Sequence, residues 1–325
     1  GQFWYATPVS PTDDSAPSEA TEPADASAGR WLDGALDSAL DPFWIPSVGS
    51  RPTQRVASMT VLHTVRNPRR LTVFMVPLLA IGGSLVSSVV GSGFSITIAV
   101  SAVALLPWLP SALFTLNPLG DQQAVLPVTL TTVDPRSFVR GIALPGVCYG
   151  APIAVGLTAG VSALSAVPLR EIALLTALAA GLTLTAAAVC PAVGVFLPRF
   201  SAISVGQADE VLPPRFSAVA VSLALVCAPG GYLALLVVAP GGAQTILAGL
   251  VGWLPAVLAE LVAAFLPLSL GGLSGFFTAL AEQITDLETT AFQIGAASVL
   301  LSAGVVVTFA SYRYAVRTVE AYSLS

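Results

Sequence analysis

Side chains that could carry out chemistry are few in this sequence, and their spacing builds no recognisable catalytic or metal centre. His63 is the only histidine, so a zinc site built from several imidazoles is excluded. The cysteines Cys148, Cys190 and Cys227 lie far apart, each inside an apolar run, in neither metal-binding nor disulfide spacing. The chain has no lysine, so it has no phosphate-binding loop of the G-x-x-x-x-G-K-[ST] type. We therefore predict no catalytic residue and no metal ligand.

The composition indicates the environment in which the chain folds. Hydrophobic residues make up 55% of the 325 residues and charged residues 10%, and the mean hydropathy is +0.83. Soluble domains carry roughly a quarter charged residues, so this chain lacks the charge to cover an ordinary water-facing surface. Its apolar runs do not alternate as barrel strands do. We therefore predict an all-α, polytopic helical membrane protein. The acidic balance argues against a nucleic-acid partner and suits either a high-salt cytoplasm or a GC-rich genome.

Residues 1–50 differ in composition from the rest of the chain. The first 29 residues hold five acids, no base and many Pro, Ser, Ala and Thr, which is typical of a disordered linker. Leu32, Leu36 and Leu40 then recur every four residues, which predicts a short amphipathic helix ending near Pro42. We interpret this region as an acidic linker with one amphipathic helix.

The remainder, 51–325, predicts a transmembrane domain. An amphipathic segment, 51–70, comes first and is placed at the cytoplasmic face. Six apolar runs then approach the roughly 20 residues that a helix needs to cross a bilayer. These predicted spans cover about 71–90, 94–116, 138–164, 172–197, 216–239 and 290–311.

A further apolar run, about 246–270, has two interpretations. Pro255 divides it into halves that are each too short to cross alone, so it is either a seventh span or a re-entrant helical hairpin. Arginine concentrates on the cytoplasmic side of membrane proteins. Six spans place every arginine that flanks a span inside except Arg170, whereas a seventh would move Arg313 and Arg317 outside. We therefore predict a cell-membrane protein with six spans, an outer re-entrant hairpin, and both ends of the domain in the cytoplasm.

Glu260 is the acid that lies within a predicted apolar run. Ionisable groups at membrane depth are rare and usually functional, so Glu260 is a candidate intramembrane functional residue. The alternative is an acid near the tip of the hairpin at the outer surface.

A mildly amphipathic interruption, 117–136, separates the second and third predicted spans. Leu119, Leu126 and Leu130 can form one apolar side of a short helix, and Asp121 near its start complements the helix dipole. A short rigid helix between two spans can carry a displacement into both. The alternative is an ordinary interfacial loop.

The order of these features resembles the permease subunit of ABC-2-type exporters, of the kind found in halophilic archaea. Arg-Asn-Pro-Arg-Arg at 66–70 leads into the first span, Gly-Asp-Gln-Gln at 120–123 follows the second, and the later spans with an outer re-entrant element come in the expected order. The chain departs from the family pattern where Asp121-Gln122-Gln123 replaces the usual glutamate and where Thr-Thr-Val-Asp-Pro at 131–135 replaces the commoner turn.

The resemblance implies a transport subunit that is not itself an enzyme and holds no cofactor, because a separate cytoplasmic ABC ATPase subunit binds and hydrolyses ATP. The expected partners are that ATPase, a second permease half or a second copy in a homodimer, and the lipid bilayer. The chain can also be the C-terminal half of a twelve-span permease. The implied ATPase-coupling residues are Gly120, Asp121, Gln122, Gln123, Leu126, Leu130, Asp134 and Arg136.

Two other functions were weighed against transport. A non-transporting membrane scaffold or assembly factor, whose interfacial segments bind partner proteins, is the main alternative. Gly-Leu-Ser-Gly at 272–275 is similar to a motif of rhomboid intramembrane proteases, but no histidine follows Ser274 to act as its base. Intramembrane proteolysis is therefore not predicted.

Overall fold

The structure is a computed structural model, and the part of it described below belongs to the unit Ile45–Ser325. The described residues are 48–66, 94–121, 132–199, 203–204, 210–211, 214–265 and 271–324. The acidic linker, its amphipathic helix and the predicted span 71–90 lie outside these residues.

Helices account for nearly all of the described chain. Their bounds are α1 (Arg51–Arg66), α2 (Ile96–Leu105), α3 (Trp108–Thr115), α4 (Pro118–Asp121), α5 (Pro135–Leu164), α6 (Leu169–Phe196), α7 (Phe216–Val238), α8 (Pro240–Ala248), α9 (Leu254–Phe265), α10 (Gly271–Asp286) and α11 (Thr289–Leu324). A two-residue antiparallel ladder, β1 (Ile203–Ser204) with β2 (Glu210–Val211), lies between α6 and α7 and was not predicted.

Among the described residues, six helices are long and apolar enough to cross a membrane. They are Ile96–Gly120, Pro135–Leu164, Leu169–Phe196, Phe216–Val238, Pro240–Ala263 and Thr289–Tyr322. The predicted helical fold class, with several helices long and apolar enough to cross a membrane, is therefore confirmed. Six spans were predicted and six such helices are described, but the two sets differ. The predicted span 71–90 lies outside the described residues, and Pro240–Ala263 was not counted as a span.

Small residues allow the long helices to approach one another closely. A Cβ atom on Gly150 of α5 would lie 3.0 Å from the ring of Pro110 in α3. A Cβ atom on Gly230 of α7 would lie 2.7 Å from the side chain of Leu182 in α6. Lipid supplies no hydrophobic force between helices, so such close packing is a main source of their association.

One polar contact crosses the apolar interior. The indole Nε1 of Trp108 donates to Ser222 Oγ at 3.1 Å, and Ser222 Oγ donates in turn to the backbone oxygen of Val219. Trp108 is buried in a cluster that joins α3, α6 and α7 and includes Cys190 and Cys227. The two cysteines therefore serve as small packing residues, as the sequence indicated.

The bundle has two distinct ends. At the first, which we call the arginine end, α5 begins, α6 ends and α11 ends, because residues from all three share one apolar cluster. At the other, which we call the hairpin end, α5 ends and α6 begins. The described arginines near the starts of α1, α5 and α7 and the ends of α6 and α11 all lie at the arginine end, whereas Arg170 lies at the hairpin end.

The chain between α7 and α11 forms a helical hairpin. One arm runs from Pro240 to Phe265 and the other is α10, and the two arms pack against each other. Gly252 faces α10 so closely that a Cβ atom there would overlap Ala281. Many large apolar side chains on the arms remain exposed, including Leu250, Val257 and Phe276.

Pro255 does not divide this arm, and that prediction is wrong. A π-helical segment, Gly249–Trp253, precedes the proline and joins α8 to α9 without interruption. The N–H of Leu254 reaches back five residues to the oxygen of Gly249. A proline ring normally clashes with the carbonyl four residues earlier, and we attribute its tolerance here to the wider π turn.

Two glutamine side chains form hydrogen bonds at the base of the hairpin, where its arms join α7 and α11. The amide of Gln244 donates to the backbone oxygens of Ile284 at 2.6 Å and Leu287 at 2.9 Å, at the end of α10. The amide of Gln293 in α11 donates to the oxygen of Leu236, at 2.7 Å, near the end of α7. These bonds satisfy carbonyls that a helix leaves unpaired at its C-terminus. The hairpin therefore leaves from and returns to the same end of the bundle.

This geometry predicts the labelling pattern of engineered cysteines. Tyr314 shares the arginine end with Leu119, whereas Thr285 lies at the hairpin end. In a background with the native cysteines replaced, Tyr314→Cys and Thr285→Cys are expected to react with a membrane-impermeant maleimide from opposite sides of the membrane. Labelling of both from the same side would contradict the arrangement.

Candidate functional site

The described start of the 117–136 segment is buried at the arginine end. Asn117 is 3% exposed and Leu119 is completely buried. The short helix α4 begins at Pro118, directly after the C-terminus of α3. In an ordinary interfacial loop, a polar residue such as Asn117 would be exposed to water. The burial of Asn117 and Leu119 shows that the start of the connection packs inside the bundle.

The side chain of Asn117 pairs with the backbone of Arg199, which lies 82 positions later, just after α6. Asn117 Nδ2 donates to the Arg199 oxygen at 3.2 Å, and the Arg199 N–H donates to Asn117 Oδ1 at 3.1 Å. The amide therefore completes a two-bond bridge like that between paired strands. It ties the end of one membrane helix to the end of another.

Two glycines permit this close approach. A Cβ atom on Gly120 would overlap the Arg199 oxygen and the Asn117 amide. A Cβ atom on Gly194 of α6 would lie 2.7 Å from the Thr115 oxygen and 2.8 Å from the Leu116 carbonyl carbon. Real Cβ atoms do not come so near to backbone atoms, so glycine is required at both positions.

Leu119 is the apolar anchor of α4. It packs into a cluster, which we call the junction cluster, that contains residues of five helices. Its buried members are Val56, Leu119, Phe138, Val139, Ile142, Ala192, Val195, Ala315 and Val319. Val133, at the far end of the connection, packs against the same cluster. Both described ends of the connection therefore rest on one apolar base shared by α1, α4, α5, α6 and α11.

The residues that follow the connection start α5. Asp134 is its N-cap, with the carboxylate Oδ2 accepting from the Ser137 N–H at 3.1 Å. Such a cap stabilises a helix start by about 1 kcal/mol. Arg136 is exposed. Arg140 Nε donates to the Tyr312 hydroxyl of α11 at 3.0 Å, with the guanidinium 6.0 Å from that ring.

Helix α1 is packed onto α5 beside this site. A Cβ atom on Gly141 would lie 2.6 Å from Val56 Cβ, so the two helices touch through glycine. The hydroxyls of Ser50 and Ser137 lie 3.4 Å apart, which brings the starts of the two helices together. The amphipathic segment predicted before the first span is thus a helix over Arg51–Arg66 with one buried face.

The structure brings only part of the predicted site together. Gly120, Asp134 and the start of α5 with Arg136 lie at the arginine end, and the backbone of Asp121 ends α4. Gln122, Gln123, Leu126 and Leu130 lie outside the described residues, and so does the side chain of Asp121.

Glu260 is not part of this site. It lies on α9 in the hairpin, exposed among exposed apolar side chains. In the part of the chain that the structure describes, no three His, Cys, Asp or Glu side chains are grouped so that they could hold a metal ion.

Sequence reasoning missed the partners that define the site. Asn117 entered the sequence analysis only as the first residue of the interruption 117–136, and neither Gly194 nor Arg199 was singled out. The available signal was a lone amide at the end of an apolar run, where an unpaired polar side chain would be costly.

Comparisons with known proteins do not place the chain in a family. No protein-family model matches it, no curated protein matches it, and no solved structure matches it.

Proposed function

We propose that the chain is the membrane-spanning permease subunit of an ATP-driven exporter, whose ATP hydrolysis occurs on a separate cytoplasmic ATPase subunit. The observation that supports this proposal is that both described ends of the 117–136 connection pack on the same cluster of helix ends. Leu119 at one end and Val133 at the other pack on the junction cluster, and Asn117 is bonded to the end of α6. A partner that pushes on the connection would move several membrane helices together.

The junction cluster suits a coupling role because of what it joins. Protein interiors are close-packed and transmit displacement. The cluster includes Phe138 at the start of α5, Val195 at the end of α6 and Val319 near the end of α11. A displacement of α4 would therefore reach three long apolar helices. In the proposed mechanism, ATP-driven closure of the ATPase pair moves the connection, and the spans rearrange around a central pathway.

The distribution of charge supports a cytoplasmic arginine end. Arginine is favoured in cytoplasmic segments near membrane helices, whereas acids contribute little to orientation. The hairpin end has Arg170 and, near the hairpin base, Glu282, Asp286 and Glu288. We place that end outside the cell and propose that the hairpin dips back into the outer half of the membrane, since most of its exposed side chains are apolar.

Copurification of the full chain from its native membranes with an ATP-binding subunit tests the proposal. Asp121→Ala with Leu126→Ala is expected to reduce recovery of the ATPase at least several-fold, because it removes a charge and an apolar side chain from the 117–136 connection that is proposed to contact the ATPase. The matched control is Asp286→Ala with Leu287→Ala, at the hairpin end, which is expected to leave recovery unchanged.

The same experiment separates transport from a scaffold role. Equal recovery of the ATPase with both double variants would contradict docking through this connection. Recovery of other membrane proteins without any ATPase, and unaltered by changes in the connection, would support the scaffold instead. In reconstituted vesicles, ATP-dependent transport is expected to fall in parallel with ATPase recovery.

A further inference from the structure

The outer face of α1 carries an unusual combination of side chains. Val56, Ala57 and Val61 are buried against the bundle. On the opposite side of α1, residues spaced three or four apart form a stripe of basic and apolar side chains. These side chains are exposed or half-buried among the described residues. The members of the stripe are Arg51, Arg55, Met59, Leu62 and Arg66. The side chain of Met59, an apolar member of the stripe, is 41% exposed.

Two arginines of α5 extend this stripe. The contact between the Ser50 and Ser137 hydroxyls places Arg51 next to the start of α5, where Arg136 precedes Ser137. Arg136 and Arg140 are one helical turn apart and both are exposed. The described acids near these helices are Asp134, whose carboxylate accepts a hydrogen bond from the Ser137 N–H, and Glu320, which follows Val319 of the junction cluster. Five arginines against two acids leave the patch with a net positive charge.

We propose that this patch, formed by the outer stripe of α1 together with Arg136 and Arg140, binds the headgroups of anionic phospholipids. An interfacial helix rich in arginine, with apolar side chains beside the charges, is suited to the boundary between headgroups and acyl chains. The arginines would meet lipid phosphates, and Met59 and Leu62 would meet the upper acyl chains.

The position of the patch favours lipid over a soluble acidic protein. α1 packs on α5 at Gly141, close to where the long apolar helix leaves its arginine-bearing start. That level of the bundle is the expected boundary of the bilayer. A bilayer supplies phosphate groups and acyl chains together at this level, which matches the arginines and the apolar side chains of the stripe at once.

The helix that carries the patch, α1, also contacts the junction cluster through its inner face. Val56, on the inner face of α1, is a member of that cluster, and Leu119 is another. The proposed lipid site and the contact with the junction cluster therefore lie on opposite faces of the same helix. The lipid site does not depend on the exporter proposal, because it requires only that the arginine end lie at a membrane surface.

Native mass spectrometry of the purified full chain tests the lipid site. After delipidation, the protein is titrated with phosphatidylglycerol or with phosphatidylcholine. Each basic residue near an anionic surface strengthens binding about fivefold, so Arg51→Gln with Arg136→Gln is expected to weaken phosphatidylglycerol binding about thirtyfold. Phosphatidylcholine binding is expected to stay unchanged.

Three controls make the result decisive. Arg51→Lys with Arg136→Lys keeps the charge and is expected to keep the lipid affinity within about threefold. Arg170→Gln removes a charge at the hairpin end and is expected to have no effect. Wild-type binding of phosphatidylglycerol is expected to weaken with added salt, whereas inorganic phosphate at equal ionic strength has no extra effect.

Certain outcomes would overturn the lipid site. These are undiminished phosphatidylglycerol binding in the double glutamine variant, an equal loss in Arg170→Gln, or salt-independent binding by the wild type. If the glutamine variant fails to fold, the salt series on the wild type still decides.

Discussion

Gly194→Ala is expected to lower the free energy of unfolding by roughly 1–3 kcal/mol, the usual effect of overpacking a filled site. The added methyl would lie 2.7 Å from both the Thr115 oxygen and the ring of Pro118. Thr115 and Pro118 flank the junction of α3 and α4, and backbone cannot rotate away as a flexible side chain does. Thermal unfolding in detergent, followed by tryptophan fluorescence, measures the effect.

The matched control lies on the same helix. A Cβ atom on Gly181 meets nothing within 4 Å, so Gly181→Ala adds the same methyl without a collision. Alanine also favours the helix over glycine by up to about 1 kcal/mol. Gly181→Ala is therefore expected to be neutral or stabilising. Equal losses of stability in the two variants would show that α6 does not approach α3 and α4 as described.

Asn117→Ala is the second change with a large expected effect. It removes both hydrogen bonds to Arg199 and leaves a partly buried backbone N–H and oxygen without those partners. An unsatisfied buried group costs about 1–3 kcal/mol, and we expect a loss of roughly 2 kcal/mol. Asn117→Asp is not expected to restore stability at neutral pH, because the carboxylate accepts from the N–H but cannot donate to the oxygen.

Ser111→Ala is the control for this prediction. Ser111 precedes Asn117 on the same membrane segment, and its buried hydroxyl has no hydrogen-bond partner among the described residues. Removing a polar group that is already unpaired is expected to be neutral or stabilising. A loss of stability in Ser111→Ala as large as that in Asn117→Ala would contradict the special role of the Asn117 bridge. The proposed exporter function further predicts that, in reconstituted vesicles, Asn117→Ala reduces transport more than it reduces ATPase recovery.

The membrane helices were largely predictable because lipid imposes a simple rule. Each span must satisfy its own backbone and present apolar side chains, so length and hydropathy locate it. The predicted span 172–197 corresponds to Leu169–Phe196, and 216–239 corresponds to Phe216–Val238. In these two spans the ends differ by at most three residues, whereas α11 continues past the predicted end at residue 311 to Leu324.

Pro255 shows where such reasoning is insufficient. The sequence shows that a backbone donor is missing, but it does not show how the preceding turn adjusts. Gly249 and Gly252 lie in the π-helical segment that carries the chain past the proline. The π-helical turn before Pro255 therefore allows the helix to continue through the proline. The result is one continuous arm from Pro240 to Phe265 and not two short halves.

The candidate site was less predictable than the helices. Its apolar anchor, Leu119, follows from pattern, because a leucine on an amphipathic segment tends to pack inward. The bond between Asn117 and Arg199 joins residues from distant parts of the chain. Nothing in the spacing of one sequence identifies that pairing, since it depends on how α6 and α3 are placed side by side.

Helix α11 has a mechanical consequence. Its 36 residues give a rod about 54 Å long, well beyond the roughly 30 Å of a hydrocarbon core. Phe292 near one end packs beside the hairpin base, and Val319 near the other end packs in the junction cluster. A single helix that is packed at both ends would, in a membrane, transmit a tilt at the arginine end directly to the base of the hairpin, without a chain of side-chain contacts between them.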